Sequence, residues 1–326
     1  MNVVYPTGSC NVGDELNGWM WNTLLADFHD PDTALLGVGT LLNQEFCKRL
    51  ADKRRVLVFG TGAGYGSVPT IDARWKFYAV RGAGTARCLG LSADKAVADA
   101  SYLLATLDWQ SMSRREGKIV VVPHHRSLRL LDWSRLCAES GLTFVSPLLS
   151  ADLFMKQLCS ADLVLSEAMH GAILADIARV PWRAFSFGRH FNTEKWRDWG
   201  DAFDLKLELT QLHGFYDPSF YLSDRPRLKH LMLGAKAFAS KGSLGKKKWK
   251  TVTPPGWPLG KAINGAVQAL RSLAAMEGQL SDINIYRSRV AMLYERLDSL
   301  RRDHGLAIGG VMSGDPLPYL SKGVVQ

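Results

Sequence analysis

The chain has few cysteines, and none of them pair in a CxxC motif. Five of them (Cys10, Cys47, Cys88, Cys137 and Cys159) are scattered over 326 residues. An odd, dispersed set argues against a zinc or disulfide framework and points to a reducing cytoplasm. No apolar run approaches the roughly 20 residues that span a bilayer. MNVVYPTGSC carries neither a basic region nor a long apolar stretch, so no signal peptide is expected. No internal repeat stands out. At 47% hydrophobic and 22% charged residues, the composition is that of a globular chain long enough for two domains.

The net charge of +9 is concentrated rather than spread. Ten of the 40 Lys and Arg lie between Arg225 and Lys261, a stretch with no Asp or Glu; the rest of the chain holds 30 basic against 31 acidic residues. The stretch includes KGSLGKKKWKTVTPPGWPLGK, where Lys246, Lys247, Lys248 and Lys250 alternate with Trp249 and Trp257. Lysines beside tryptophans suit an anionic lipid surface, with the rings at headgroup level and each cation contributing about 1 kcal/mol. A solvated loop is the alternative. Nucleic acid is not expected, because no binding motif accompanies the charge.

Elsewhere short apolar runs alternate with helical patterns. VVY, ALLGVG, RVLVFG and KFYAV form a first series, and KIVVVPHH, LTFVS, DLVLSE and WRAFSF form a second after an irregular stretch near 107–117. Such alternation predicts α/β architecture with parallel sheets. Two series on either side of a break predict two Rossmann-like domains facing a cleft. We expect an N-terminal domain over 1–112, a second over 113–210, the basic segment over 211–261, and C-terminal helices with a tail over 262–326. Val290, Leu293, Leu297 and Leu300 recur at helical spacing, which ends near His304.

In doubly wound sheets, ligands sit outside the carboxyl ends of the strands. Polar residues and glycines gather at those ends here. NVGDELN turns directly into a helix whose free N–H groups suit an anion. GTGAGYG after RVLVF is neither a phosphate loop nor GxGxxG. Arg81 ends KFYAV, where its guanidinium can point into a cleft. His124 and His125 end KIVVVP; neighbours on an extended chain point opposite ways, so one of them is expected to face the cleft. His170 ends DLVLSEAM at the start of a helix, where imidazole can exchange a proton or meet an anion. Glu167 can orient His170 or cap that helix.

NVGDELN, GVGTLL, VFGTGAGYG, YAVRGAGT, VADASYLL, VVPHHRS, ADLVLSEAMHGAILADIARVPWRAF and NTEKWRDW occur in that order. Together they resemble the bacterial polysaccharide pyruvyl transferases that decorate exopolysaccharide repeat units, over about residues 1–205. One departure stands out. Many relatives have an arginine two places before the histidine, where this chain has Ala168, so Arg81, Arg126, Arg183 or Lys195 must substitute.

The resemblance implies a GT-B-like fold and transfer of a pyruvyl group from phosphoenolpyruvate to two hydroxyls of one sugar, with release of phosphate. It implies His170, His125 and Asp14 as catalytic residues. Arg81, Lys195, His124, Gly171 and Glu167 would hold the donor, and Asn11 and Gly13 the acceptor. No metal and no cofactor beyond the donor substrate are expected. The implied partners are phosphoenolpyruvate, a lipid-linked oligosaccharide and the anionic cytoplasmic face of the inner membrane, on which the protein would sit peripherally. Acceptor sugar, ketal stereochemistry and oligomeric state stay open. Two other readings also stay open: a GT-B glycosyltransferase using a nucleotide sugar, and a non-catalytic membrane-associated scaffold of polysaccharide assembly.

Overall fold

The structure, a computed structural model, describes residues 2–6, 11–113, 116–221, 253–308 and 311–320. Lys246, Lys247, Lys248, Trp249, Lys250 and Cys10 lie outside the described residues. The first series of apolar runs forms a four-stranded parallel sheet. Its strands β1 (Asn2–Val3), β2 (Thr33–Leu36), β3 (Arg55–Phe59) and β4 (Trp75–Ala79) lie in sequence order. The second series forms a five-stranded parallel sheet in the order β6-β5-β7-β8-β9, from β5 (Lys118–Val122), β6 (Thr143–Phe144), β7 (Ala161–Ser166), β8 (Trp182–Ser186) and β9 (Leu209–Gln211). Every residue of β2 and β8 is buried. Sheets covered on both faces demand continuous apolar strands, and TALL, RVLVF and KIVVV supply them.

Helices cover the sheets. They are α1 (Val12–Leu24), α2 (Gln44–Cys47), α3 (Ala83–Cys88), α4 (Trp133–Ser140), α5 (Ala151–Cys159), α6 (Met169–Ile177) and α7 (Thr193–Gly200). After them come α8 (Pro218–Tyr221), α9 (Leu259–Ala274), α10 (Ile283–Asp303) and α11 (Leu317–Leu320). α9 buries Ala266, Val267, Leu270 and Leu273 in a cluster with Leu136 of α4 and Leu165 of β7. The chain then bridges Trp182 of β8 at Gln279. α10 crosses back to the first sheet, where Asp303 accepts from Tyr78 at 2.8 Å and pairs with Lys76 at 2.7 Å.

The two sheets share one of their apolar clusters. One apolar cluster takes in Leu16, Trp21, Leu57 and Leu104 from the first half, Val120, Val164 and Ile173 from the second, and Leu293, Leu297 and Leu300 from α10. Each sheet also has an apolar cluster of its own, one built from residues of the first half and one from residues of the second half with α9. Buried polar bonds reinforce the junction: Asp176 of α6 accepts from Tyr102 at 2.8 Å and from Ser281 N at 2.8 Å, and Trp199 Nε1 donates to Tyr102 at 3.1 Å. No helix among the described residues is long and apolar enough to cross a membrane.

Candidate functional site

The carboxyl ends of β5, β7 and β8 converge. β5 stops at Val122, Pro123 follows, and the chain turns before the strand's two-residue alternation can separate the next side chains. His124 and His125 therefore lie together, with ring centroids 4.1 Å apart, contrary to the expectation that only one faces inward. A third ring, His190 from beyond β8, lies 4.5 Å from His124. His190 was not singled out in the sequence, and its position after Gly188 carries no local signal. A Cβ on Gly188 would come within 2.1 Å of the His190 ring, so this approach requires glycine.

Glu167 holds the three loops in place. Its carboxylate accepts from His124 N at 2.9 Å, Phe187 N at 3.0 Å and Gly188 N at 2.9 Å, and lies 3.4 Å from His190 Nε2. It neither contacts His170 nor caps α6, whose N-cap is Ala168 with no side-chain bond. Burial alone would raise its pKa; the bond and charge of His190, with donors from Gly188 and Ser127, bring it below the usual carboxylate range. Gly171 packs closely against its neighbours. A Cβ there would meet Ser166 Oγ at 2.4 Å.

Cations surround the imidazoles. Asn192 caps α7, donates its side chain to Gly64 O, and sets Lys195 in the first turn. Lys195 is buried, 9% exposed, and its Nζ donates to Tyr65 Oη at 3.1 Å. It forms no ion pair among the described residues. Arg126 is exposed beside it and also lacks one. Burial and then the charges of Arg126, Lys195, His190 and Arg129 push His125 down to about 4. Burial, His125 and the same two leading cations push His124 lower still. Burial would raise the Tyr65 phenol, yet Lys195, Arg126 and Arg81 carry it below its ordinary value. Burial leads the imidazole shifts, whereas the loosened phenol proton runs against burial and records the excess of positive potential. An anion entering here would relieve it.

The four candidates for the missing arginine now separate. Arg81 does not point into a gap. It is 0% exposed and bonds Asp198 through Nε at 3.1 Å, Thr40 at 2.9 Å and Ala63 O at 2.7 Å. Thr85 N and Oγ1 complete the Asp198 site at 2.8 and 2.6 Å. A carboxylate of α7 thus fills the anion seat that RGAGT prepares. Arg183 turns to Glu208 at 2.8 Å and to Glu277 O. Lys195 and Arg126 remain uncompensated.

His170 stands in the first turn of α6 with its ring against α1. A Cβ on Gly13 would come within 2.2 Å of His170 Nδ1, so Gly13 is the floor under the imidazole. Asn11 and Asp14 bond each other at the α1 N-terminus, where Asp14 also lies near Gly39. On the other side, His170 Nε2 lies 3.7 Å from Asp99 Oδ2. Asp99 belongs to the VADASYLL block, in which no residue had been singled out; its partner lies 71 positions on, beyond any local pattern. Among the described residues, no group of three or more His, Cys, Asp or Glu is placed to hold a metal. A cavity of about 270 Å³ beside Tyr65 is lined by Asn43, Gln44 and Ser67.

A family model described as polysaccharide pyruvyl transferase matches residues 14–188. The chain is also similar to the succinoglycan biosynthesis protein ExoV of Rhizobium meliloti (strain 1021), at 37% identity over 196 residues. That match covers 59% of this chain and 61% of ExoV, so the chain spans about three fifths of that relative's length. No solved structure matches it.

Proposed function

This chain belongs to the polysaccharide pyruvyl transferase family, and from that premise we propose that it moves a pyruvyl group from phosphoenolpyruvate to two hydroxyls of one sugar in a lipid-linked exopolysaccharide repeat unit. The observation that carries the donor assignment is Lys195, buried with no carboxylate partner among the described residues and acting with Arg126 on His124 and His125. Burying an unpaired cation costs several kcal/mol, which an anionic ligand offsets. Phosphoenolpyruvate has a phosphate and a carboxylate, so it can engage both cations at once.

In this reading a protonated His170 gives its proton to the methylene carbon of the donor, leaving a cationic C2. A sugar hydroxyl attacks C2 and releases its proton to a base, for which neutral His125 or Asp14 is suited. The C2–O bond to phosphate then breaks, and the phosphate leaves carrying the pair and the proton that the base had taken. The second hydroxyl closes on C2 and loses its proton, which returns the acid to its starting state. The products are a cyclic pyruvate ketal and inorganic phosphate. A GT-B-like opening between the two halves, with the boundary near residue 112, belongs to the same proposal.

The basic segment supports a second part. Trp257 is 89% exposed and follows the lysine run in sequence. We place this segment on anionic lipid at the cytoplasmic face of the inner membrane, near a lipid-linked acceptor. Removing residues 241–258 then lowers recovery with anionic vesicles; unchanged recovery removes the idea.

The reaction is tested by incubating protein, phosphoenolpyruvate and lipid-linked saccharide and weighing the product. A ketal adds pyruvate less one water. A retained vinyl group would mean enolpyruvyl transfer instead, and turnover of a nucleotide sugar would mean glycosyl transfer.

A further inference from the structure

The His170–Asp99 pair has a feature that neither half explains alone. Asp99 is wholly buried, and its two oxygens have different neighbours. Oδ1 accepts from Ser101 N at 3.0 Å and Ser101 Oγ at 2.7 Å. Oδ2 has no hydrogen-bond partner among the described residues, and neither does the equally buried Nε2 of His170. These two atoms face each other at 3.7 Å. That is about 0.5–1 Å longer than a hydrogen bond, a gap that a small rotation of the ring closes.

Two buried polar atoms left without other partners each cost about 1–3 kcal/mol, so satisfying one with the other is favoured. Asp99 is held below its usual range although burial opposes this, chiefly by the nearby imidazole of His170. It is therefore an acceptor only. Nε2 must supply the proton. The other nitrogen, Nδ1, looks onto Gly13 and the turn that carries Asp14. Glu167, the nearer acid in sequence, is already committed to backbone N–H groups.

We infer that Asp99 is a positioning residue: it holds the Nε2–H of His170 from across the junction and leaves Nδ1 as the nitrogen that meets substrate. The carboxylate fixes the tautomer and, when Nδ1 takes a proton, stabilises the imidazolium. One half of the molecule thus supplies the orienting acid and the other the imidazole. Proton donation then becomes possible only with the two halves packed as they are.

The effect on turnover rests on the pyruvyl-transfer reading; the tautomer does not. Histidine-labelled protein is therefore examined first, without substrate, by long-range proton–nitrogen correlation, with the His170 signals assigned by their loss in His170→Gln. The wild type shows Nε2 protonated and Nδ1 bare. In Asp99→Asn the amide presents N–H to Nε2, and the proton moves to Nδ1. A wild-type Nδ1–H tautomer, or an unchanged tautomer in the variant, overturns the inference. Should Asp99→Asn fail to fold, Ser101→Ala removes one of the two donors to Oδ1 and leaves the carboxylate in place, so Nε2 is expected to stay protonated; a proton on Nδ1 there also overturns the inference. With phosphoenolpyruvate and acceptor, Asp99→Asn lowers kcat about 100-fold with KM within threefold. If the tautomer results hold and no phosphate is released by either protein, the reaction assignment fails and the pair stands.

Discussion

Arg81 and Lys195 are the two cations that the resemblance assigns to the donor. The structure treats them in opposite ways. The Arg81 guanidinium is enclosed and answered by Asp198, Thr40 and Ala63 O. Lys195 is nearly as deep, but it bonds a phenol and acts on His124 and His125, with no carboxylate partner among the described residues. A neutralised cation belongs to the architecture, and an unneutralised one marks where charge is still owed. The same helix, α7, carries both ends of this contrast: Asp198 locks it to the first half, and Lys195, three residues earlier, is thereby held over the second. Arg81 thus acts at one remove, by fixing the helix that bears the unpaired Lys195.

Variants separate these roles. The largest effect is expected at His170, where His170→Gln lowers phosphate release about 100- to 10,000-fold with the melting temperature unchanged. Retained activity would show that another group is the acid. Next is Arg81→Met, which strands Asp198 in the interior. Breaking a buried pair costs about 3–5 kcal/mol, to be read in urea unfolding; a loss below about 1 kcal/mol would make the pair dispensable. Lys195→Met is expected to leave stability intact or improved and to raise KM for phosphoenolpyruvate about 10- to 100-fold, the worth of a charged hydrogen bond at roughly 1.5–3 kcal/mol. If it destabilised the fold as Arg81→Met does, the contrast would collapse.

The smallest effect concerns pH. His125 titrates near 4 in the folded protein and near 6.5 when unfolded. Between those values the unfolded chain binds more protons, so folding stability is fullest above about 6.5 and is lost as pH falls toward 4. Phosphate, by supplying negative charge, should blunt that loss. Unfolding midpoints measured from pH 7.5 to 4.5 with and without phosphate check both statements, and a flat profile contradicts them.

Much of the framework was legible because its signal is local. RVLVF, KIVVV and DLVLS are buried strands by composition alone, and His124, His125 and His170 lie at their ends for topological reasons. The remainder depends on pairings over long sequence distances. Nothing near Arg81 announces Asp198, 117 residues on. Nothing near His170 announces Asp99, and the adjacent Glu167 misleads. Tyr65 and His190 join the site only because two loops from different sheets meet. β9 and α7 were also missed as elements: LTQ is three residues long, and TEKWRDWG mixes buried tryptophans with charges whose partners lie elsewhere.

The central claim is that an anion with two charged groups is drawn to the imidazole–lysine crevice. A thermal scan of the wild type and Lys195→Met, each with phosphoenolpyruvate, phosphate or a nucleoside diphosphate, tests it most directly. The account predicts that phosphoenolpyruvate stabilises the wild type more than phosphate does, that the variant loses most of this gain, and that the nucleotide does little. Stabilisation by the nucleotide alone, or an equal gain from phosphoenolpyruvate in both proteins, would contradict it.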